Sequence, residues 1–100
     1  MIYIVWRFTA KSGRVADFER HYGSEGSWAQ LFLRSAGYHG TTLLRDFAAK
    51  NEYLLWDCWD SLGSFERFKQ EHGSDYQALD KQCEALTEEE IKLGIFETLP

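Results

Sequence analysis

Two segments of this chain are apolar in both of their alternating registers. In residues 2–9 (Ile-Tyr-Ile-Val-Trp-Arg-Phe-Thr), Ile2, Ile4, Trp6 and Phe8 share one register, and Tyr3 and Val5 the other. In residues 53–59, Leu54, Trp56 and Cys58 occupy one register, and Tyr53, Leu55 and Trp59 the other. Both read as β-strands, being rich in β-branched and aromatic residues. A sheet covered by helices on one face alternates apolar with polar. These strands do not, so two covers are required, and a chain of 100 residues has room for one core. The least elaborate second cover is another copy of the same sheet, which predicts a homodimer.

The rest of the chain supplies the first cover. From Ser12, a plausible N-cap, Val15, Phe18 and Tyr22 follow helical spacing. Gly23 to Ser27 interrupts, and a second helical piece places Trp28, Leu31, Phe32 and Ser35 on one side, closed by Ala36-Gly37. Tyr38 to Asp46 reads as a strand, with Ala48 to Asn51 turning into the strand at Tyr53. Asp60 or Ser61 caps the next helix, whose stripe runs Phe65, Phe68, His72, Tyr76, Leu79, Cys83 and Leu86, with Gly73 as a kink or break. Thr87-x-x-Glu90 resembles a capping box for a short turn, and Ile91 to Leu99 forms the last strand. The order β-α-β-β-α-β predicts one α+β domain over residues 1–100, ferredoxin-like, with a four-stranded antiparallel sheet and helices on one face.

Charge excludes one class of partner. Eleven Lys and Arg against sixteen Asp and Glu give −5, and no basic cluster offers a nucleic-acid surface. No apolar run approaches a bilayer span and no leader pattern precedes the first strand, so a cytoplasmic protein with reduced thiols is expected. Cys58 and Cys83 read as buried thiols, and His21, His39 and His72 lie on separate elements without metal-ligand spacing.

Candidate chemistry centres on a few residues. His72, on the apolar stripe, could serve as a general base or be a core histidine beside a helix break. Asp57 shares the register of Tyr53, Leu55 and Trp59, and needs either a partner or a raised pKa; it is either ion-paired with Arg7 on the adjoining strand or, with His72, a catalytic acid/base residue. Trp6, Trp28, Phe32, Trp59, Phe65, Phe68 and Tyr76 could wall a pocket for a flat aromatic or serve as core.

Gly13, Gly37-Tyr38-x-Gly40, Trp59-Asp60-Ser61 and Leu86-Thr87, in a chain of this length and order, resemble the antibiotic biosynthesis monooxygenase domain. The resemblance implies a dimeric α+β barrel, in which two four-stranded sheets face each other with the helices outside. It also implies a cofactor-independent monooxygenase converting a phenolic or quinol-like aromatic to a quinone, with Trp59 in the pocket wall. Leu55 stands where the quinone-forming members keep an Asn. The Asn, Trp and His of the haem-degrading members fall here on Trp6, Phe68 and about Asp80, which disfavours haem chemistry. The alternative is a non-enzymatic dimeric barrel that binds a small apolar ligand or serves as an assembly module.

Overall fold

A computed structural model describes residues 1–100. Strand β1 (Ile2–Ala10) leads to helices α1 (Val15–Tyr22) and α2 (Ser27–Phe32). Strands β2 (Tyr38–Arg45) and β3 (Glu52–Trp59) then form a hairpin. Helices α3 (Leu62–Glu71) and α4 (Gly73–Cys83), with a 3₁₀ turn over Glu84–Leu86, precede strand β4 (Thr87–Glu97). The sheet is antiparallel throughout, in the order β2-β3-β1-β4. This is the expected ferredoxin-like architecture.

Register decides which side chains meet the helices. Opposite Ile2, Ile4, Trp6 and Phe8 stand Trp59, Asp57, Leu55 and Tyr53, and this parity faces the helices. Tyr53, Leu55, Asp57 and Trp59 are buried while Leu54, Trp56 and Cys58 between them are half-buried. The outer face carries Tyr3 and Val5 of β1, Leu54, Trp56 and Cys58 of β3, Leu44 of β2 and Phe96 of β4. Leu44 and Phe96 are exposed. The chain therefore covers one apolar face and leaves the other to solvent.

Four local expectations are corrected. Ser12 caps nothing: α1 follows Arg14, whose amide is already bonded to Lys11 O at 3.0 Å. Arg7 does not meet Asp57. The strands are neighbours, but Arg7 lies opposite Leu54 on the outer parity, where it pairs with Asp46 at 3.1 Å and Glu52 at 3.3 Å. The break expected at Gly73 is present, dividing the stripe into two helices where the backbone leaves helical angles at His72 (φ −121°, ψ 26°). Thr87 opens β4 rather than a helical turn, so the last strand starts four residues earlier than expected and ends at Glu97. Cys58 is half-buried on the outer face, on the opposite side of the sheet from the buried Cys83. By contrast, the Ser61 hydroxyl does cap α3, accepting the Ser64 amide at 3.1 Å.

Gly37 fixes the junction between β2 and this cap. Its carbonyl accepts the Asp60 amide at 2.8 Å, and a Cβ there would stand 2.6 Å from Ser64 Cβ and 2.8 Å from Asp60 Oδ1. Gly37→Ala should lower stability by about 1–3 kcal/mol through this overpacking. Gly73→Ala, where an added Cβ meets nothing within 4 Å, should leave stability unchanged or slightly raised. Urea unfolding of the two variants checks the contrast, and equal losses would contradict it.

Candidate functional site between sheet and helices

The helix face of the sheet is packed with rings. Phe32 of α2 sits among Trp59 (5.4 Å between centroids), Phe68 (5.3 Å), Tyr38 (5.4 Å) and Trp28 (5.8 Å). Trp59 and Phe68 are fully buried behind it. Where this packing ends, toward β4, a cleft opens with an enclosed volume of about 60 Å³. Trp6, Phe8, Tyr22, Trp28, Phe32, Leu55 and Tyr76 form its walls, with Asp80 and Glu90 beside them.

Four of the seven aromatics expected to wall a pocket are therefore brought together here: Trp6, Trp28, Phe32 and Tyr76. Trp59, Phe65 and Phe68 lie outside the lining, in the ring packing around Phe32. His72 does not line the cleft; it joins α3 to α4 with its ring against Phe68 at 5.1 Å. Phe8, Tyr22, Leu55, Asp80 and Glu90 complete the lining without having been singled out as wall residues. Phe8 and Leu55 share the parity of Trp6, so alternation alone could have found them. Glu90 could not be found locally, because it enters the site through the pairing of β4 with β1, opposite Phe8.

Two carboxylates give the cleft its electrostatic character. Glu90 is an exposed residue, yet partial desolvation at the cleft edge, and then the negative charge of Asp80, raise its carboxyl above the ordinary carboxylate range. Its Oε1 accepts long hydrogen bonds from Tyr22 at 3.5 Å and Thr87 at 3.4 Å. Burial pushes the Tyr76 hydroxyl up to about 12, so it is a neutral donor at physiological pH. Burial raises the Tyr22 hydroxyl still further.

Asp57 lies deeper. Its carboxylate accepts the Thr41 hydroxyl at 2.5 Å, and Thr41 Oγ1 is in turn 2.5 Å from the Tyr38 hydroxyl. No cation reaches it, and burial raises its pKa to about 6 against the hydrogen bond from Thr41, which lowers it. A carboxyl whose pKa is higher in the folded than in the unfolded chain binds its proton more tightly when folded. Folding stability is therefore free of the penalty below about pH 4, takes it on between about 4 and about 6, and carries it fully above, a loss on the order of 3 kcal/mol.

No family model and no curated protein matches the sequence. Solved structures do match along its length. One is SnoaB, a cofactor-independent oxygenase from Streptomyces nogalater: TM-score 0.70, 24% identity, 99% of this chain and 93% of that one. A protein provisionally named an antibiotic biosynthesis monooxygenase, from Bordetella bronchiseptica, aligns at TM-score 0.75 and 25% identity, over 99% and 97%. An uncharacterised NIPSNAP domain protein from Burkholderia xenovorans aligns at TM-score 0.71 and 16% identity, over 99% and 95%.

Asp57→Asn keeps the shape and an acceptor for Thr41 while removing the ionisable group. It should stabilise the protein at pH 7.5 by about 1–3 kcal/mol and have little effect at pH 4. Urea unfolding at both pH values checks this; a destabilised variant at pH 7.5 would show that the charge is compensated. Along its whole length the chain has the antibiotic biosynthesis monooxygenase-type fold of the dimeric α+β barrel superfamily.

Proposed function

We propose that the protein is a cofactor-independent oxygenase acting on a single-ring phenol or quinol held in the cleft between sheet and helices. The observation that carries this reading is the cleft's composition: six aromatic walls from β1, α1, α2 and α4, with two carboxylates at one end. The fold shared with a cofactor-independent oxygenase supports it. The ring of the substrate would stack among Trp6, Trp28, Phe32 and Tyr76, and its hydroxyl would turn toward Glu90.

Such chemistry begins with a proton. A phenolate transfers an electron to O₂ far more readily than the neutral phenol, so a base within reach of the hydroxyl governs the rate. Glu90 is that base in this proposal, with Oε2 available because Tyr22 and Thr87 both address Oε1. Partial desolvation and the nearby Asp80 charge raise its pKa in the direction that role requires. His72, outside the cleft, is left as the junction of α3 and α4. For a phenol the reaction balances as phenol plus O₂ giving quinone plus water, one oxygen atom entering the ring and the other leaving as water.

The catalytic unit in this proposal is a homodimer, with the outer sheet face of one protomer against that of its partner. Tyr3, Leu54, Trp56 and Phe96 are too apolar and too contiguous to stand as an ordinary solvent-facing surface. The predominance of apolar walls, seven of the nine lining residues, favours a second reading, a barrel that binds a small apolar ligand without turning it over. The enclosed space of about 60 Å³ is well below the roughly 150 Å³ of an apolar cavity that takes up benzene. A ring enters only if a half-buried wall such as Trp6 or Tyr76 turns aside.

Oxygen consumption across a panel of one-ring phenols and quinols separates the two readings. The oxygenase should consume O₂ above the protein-free rate with stoichiometric quinone formation. Glu90→Gln should lower kcat at least tenfold and remove the acidic limb of the pH–rate profile, because the unionised side chain cannot take the proton. Ligand binding without O₂ uptake across the panel would leave the apolar-ligand reading in place.

A further inference from the structure

The cleft is walled by rings and carries charge of one sign. Asp80 and Glu90 both line it and both are exposed, so they stand at its mouth. No lysine, arginine or histidine lines it. Every ion pair of the protein lies elsewhere. Lys92 shares the sheet face of Trp6 and Glu90 without pairing with either carboxylate, and the Lys69 ammonium is held over the Phe65 and Tyr76 rings at 5.3 and 5.5 Å. Beyond the effect of burial, the charges of Asp80 and Glu90 both add to the raised pKa of the two wall tyrosines, Tyr22 and Tyr76. The mouth is negative and not neutralised.

Stability does not account for Asp80. It lies in the last turn of α4, the end at which the helix dipole disfavours a negative charge. The Glu84 amide is bonded to its carbonyl, which sets a second carboxylate at i+4, where like charges repel. Glu90 receives long bonds from Tyr22 and Thr87, whereas Asp80 has no side-chain partner. A cation at the mouth would relieve each of these repulsions.

We propose that the mouth is a cation subsite, and that the cleft takes a one-ring phenol carrying an ammonium on a short arm beside its hydroxyl. The hydroxyl goes to Glu90 and the ammonium to Asp80. Both carboxylates flank the same end of the cleft, so the two groups belong on neighbouring ring carbons. The ammonium stays at the mouth and adds nothing to the volume that the ring must occupy. A cation there also favours phenolate over phenol, the direction in which Glu90 drives the substrate. Asp80 makes and breaks no bond; it sets specificity. This rests on the reading of the cleft as an aromatic-binding site.

Three phenols of similar size differ in the charge of an ortho arm: 2-(aminomethyl)phenol, 2-ethylphenol and 2-hydroxyphenylacetate. They are titrated anaerobically near neutral pH, so that binding is measured without turnover. The wild-type protein should bind the ammonium compound at least tenfold more tightly than 2-ethylphenol, and the carboxylate compound more weakly than either. Salt at about 1 M should remove most of the first preference, because exposed charges are screened. Asp80→Asn should weaken the ammonium compound at least fivefold and change 2-ethylphenol less than twofold, a contrast within one variant that a loss of stability does not produce. Equal affinity for the three compounds, or an ammonium preference intact in Asp80→Asn, would overturn the inference while leaving the aromatic site standing. A wild-type protein that binds none of them would overturn both.

Discussion

The sheet's two apolar faces are the constraint on which everything else depends. β1 and β3 are the central pair, and each alternates one apolar set with another. Burial of such surface is worth roughly 25 cal/mol per Å², so neither face is stable in water without a cover. The chain's own helices cover the face of Ile4, Phe8, Tyr53, Leu55 and Trp59. The face of Tyr3, Val5, Leu54, Trp56 and Phe96 has no cover within the chain. A second sheet of the same kind would supply one without any new element.

This division also locates the cleft. Because the helices come as short pieces, they do not seal the sheet evenly. Phe32, Trp59 and Phe68 fill the β2–β3 side densely, while the β1–β4 side is closed by Phe18 and Tyr22 of α1 and by α4, whose one buried residue is Cys83. The gap that remains is lined by rings because the core is made of rings. It is polar at one end because β4 is an edge strand, with Glu90 set opposite Phe8. Asp57 belongs to the other, dense side. Its carboxyl has no cation, only the Thr41–Tyr38 hydroxyl chain, and so it costs stability above its pKa while the surrounding packing offsets that cost.

Features of one segment at a time were legible in the sequence. Alternation revealed β1 and β3 and their two faces, Ser61 announced the start of α3, and the turn before β3 lay at residues 48–51, where Asn51 adopts φ 65°. Features that depend on two segments were not. Placing Arg7 next to Asp57 used strand adjacency, but register has a parity, and one residue of offset sends a side chain to the opposite face. Gly73 announced the break beside His72, but only the packing of α3 and α4 shows that this junction leaves His72 outside the cleft. Glu90 looked like part of a capping box for a local turn. Its place beside Tyr22, sixty-eight residues away, comes from the pairing of β4 with β1, which no local pattern encodes.

The four tryptophans sample both faces: Trp6 and Trp28 at the cleft, Trp59 in the sealed core, and Trp56 on the outer face. Fluorine NMR of protein labelled with 5-fluorotryptophan follows all four in one spectrum, with each signal assigned by single Trp→Phe variants. If a second copy covers the outer face and the cleft takes an aromatic, dilution through the dimer–monomer range should shift Trp56 alone. Phenol at constant protein concentration should then shift Trp6 and Trp28, leaving Trp56 and Trp59 in place. A Trp56 signal unmoved by dilution, in a sample that sediments as a monomer throughout, would contradict the two-cover arrangement on which the fold depends.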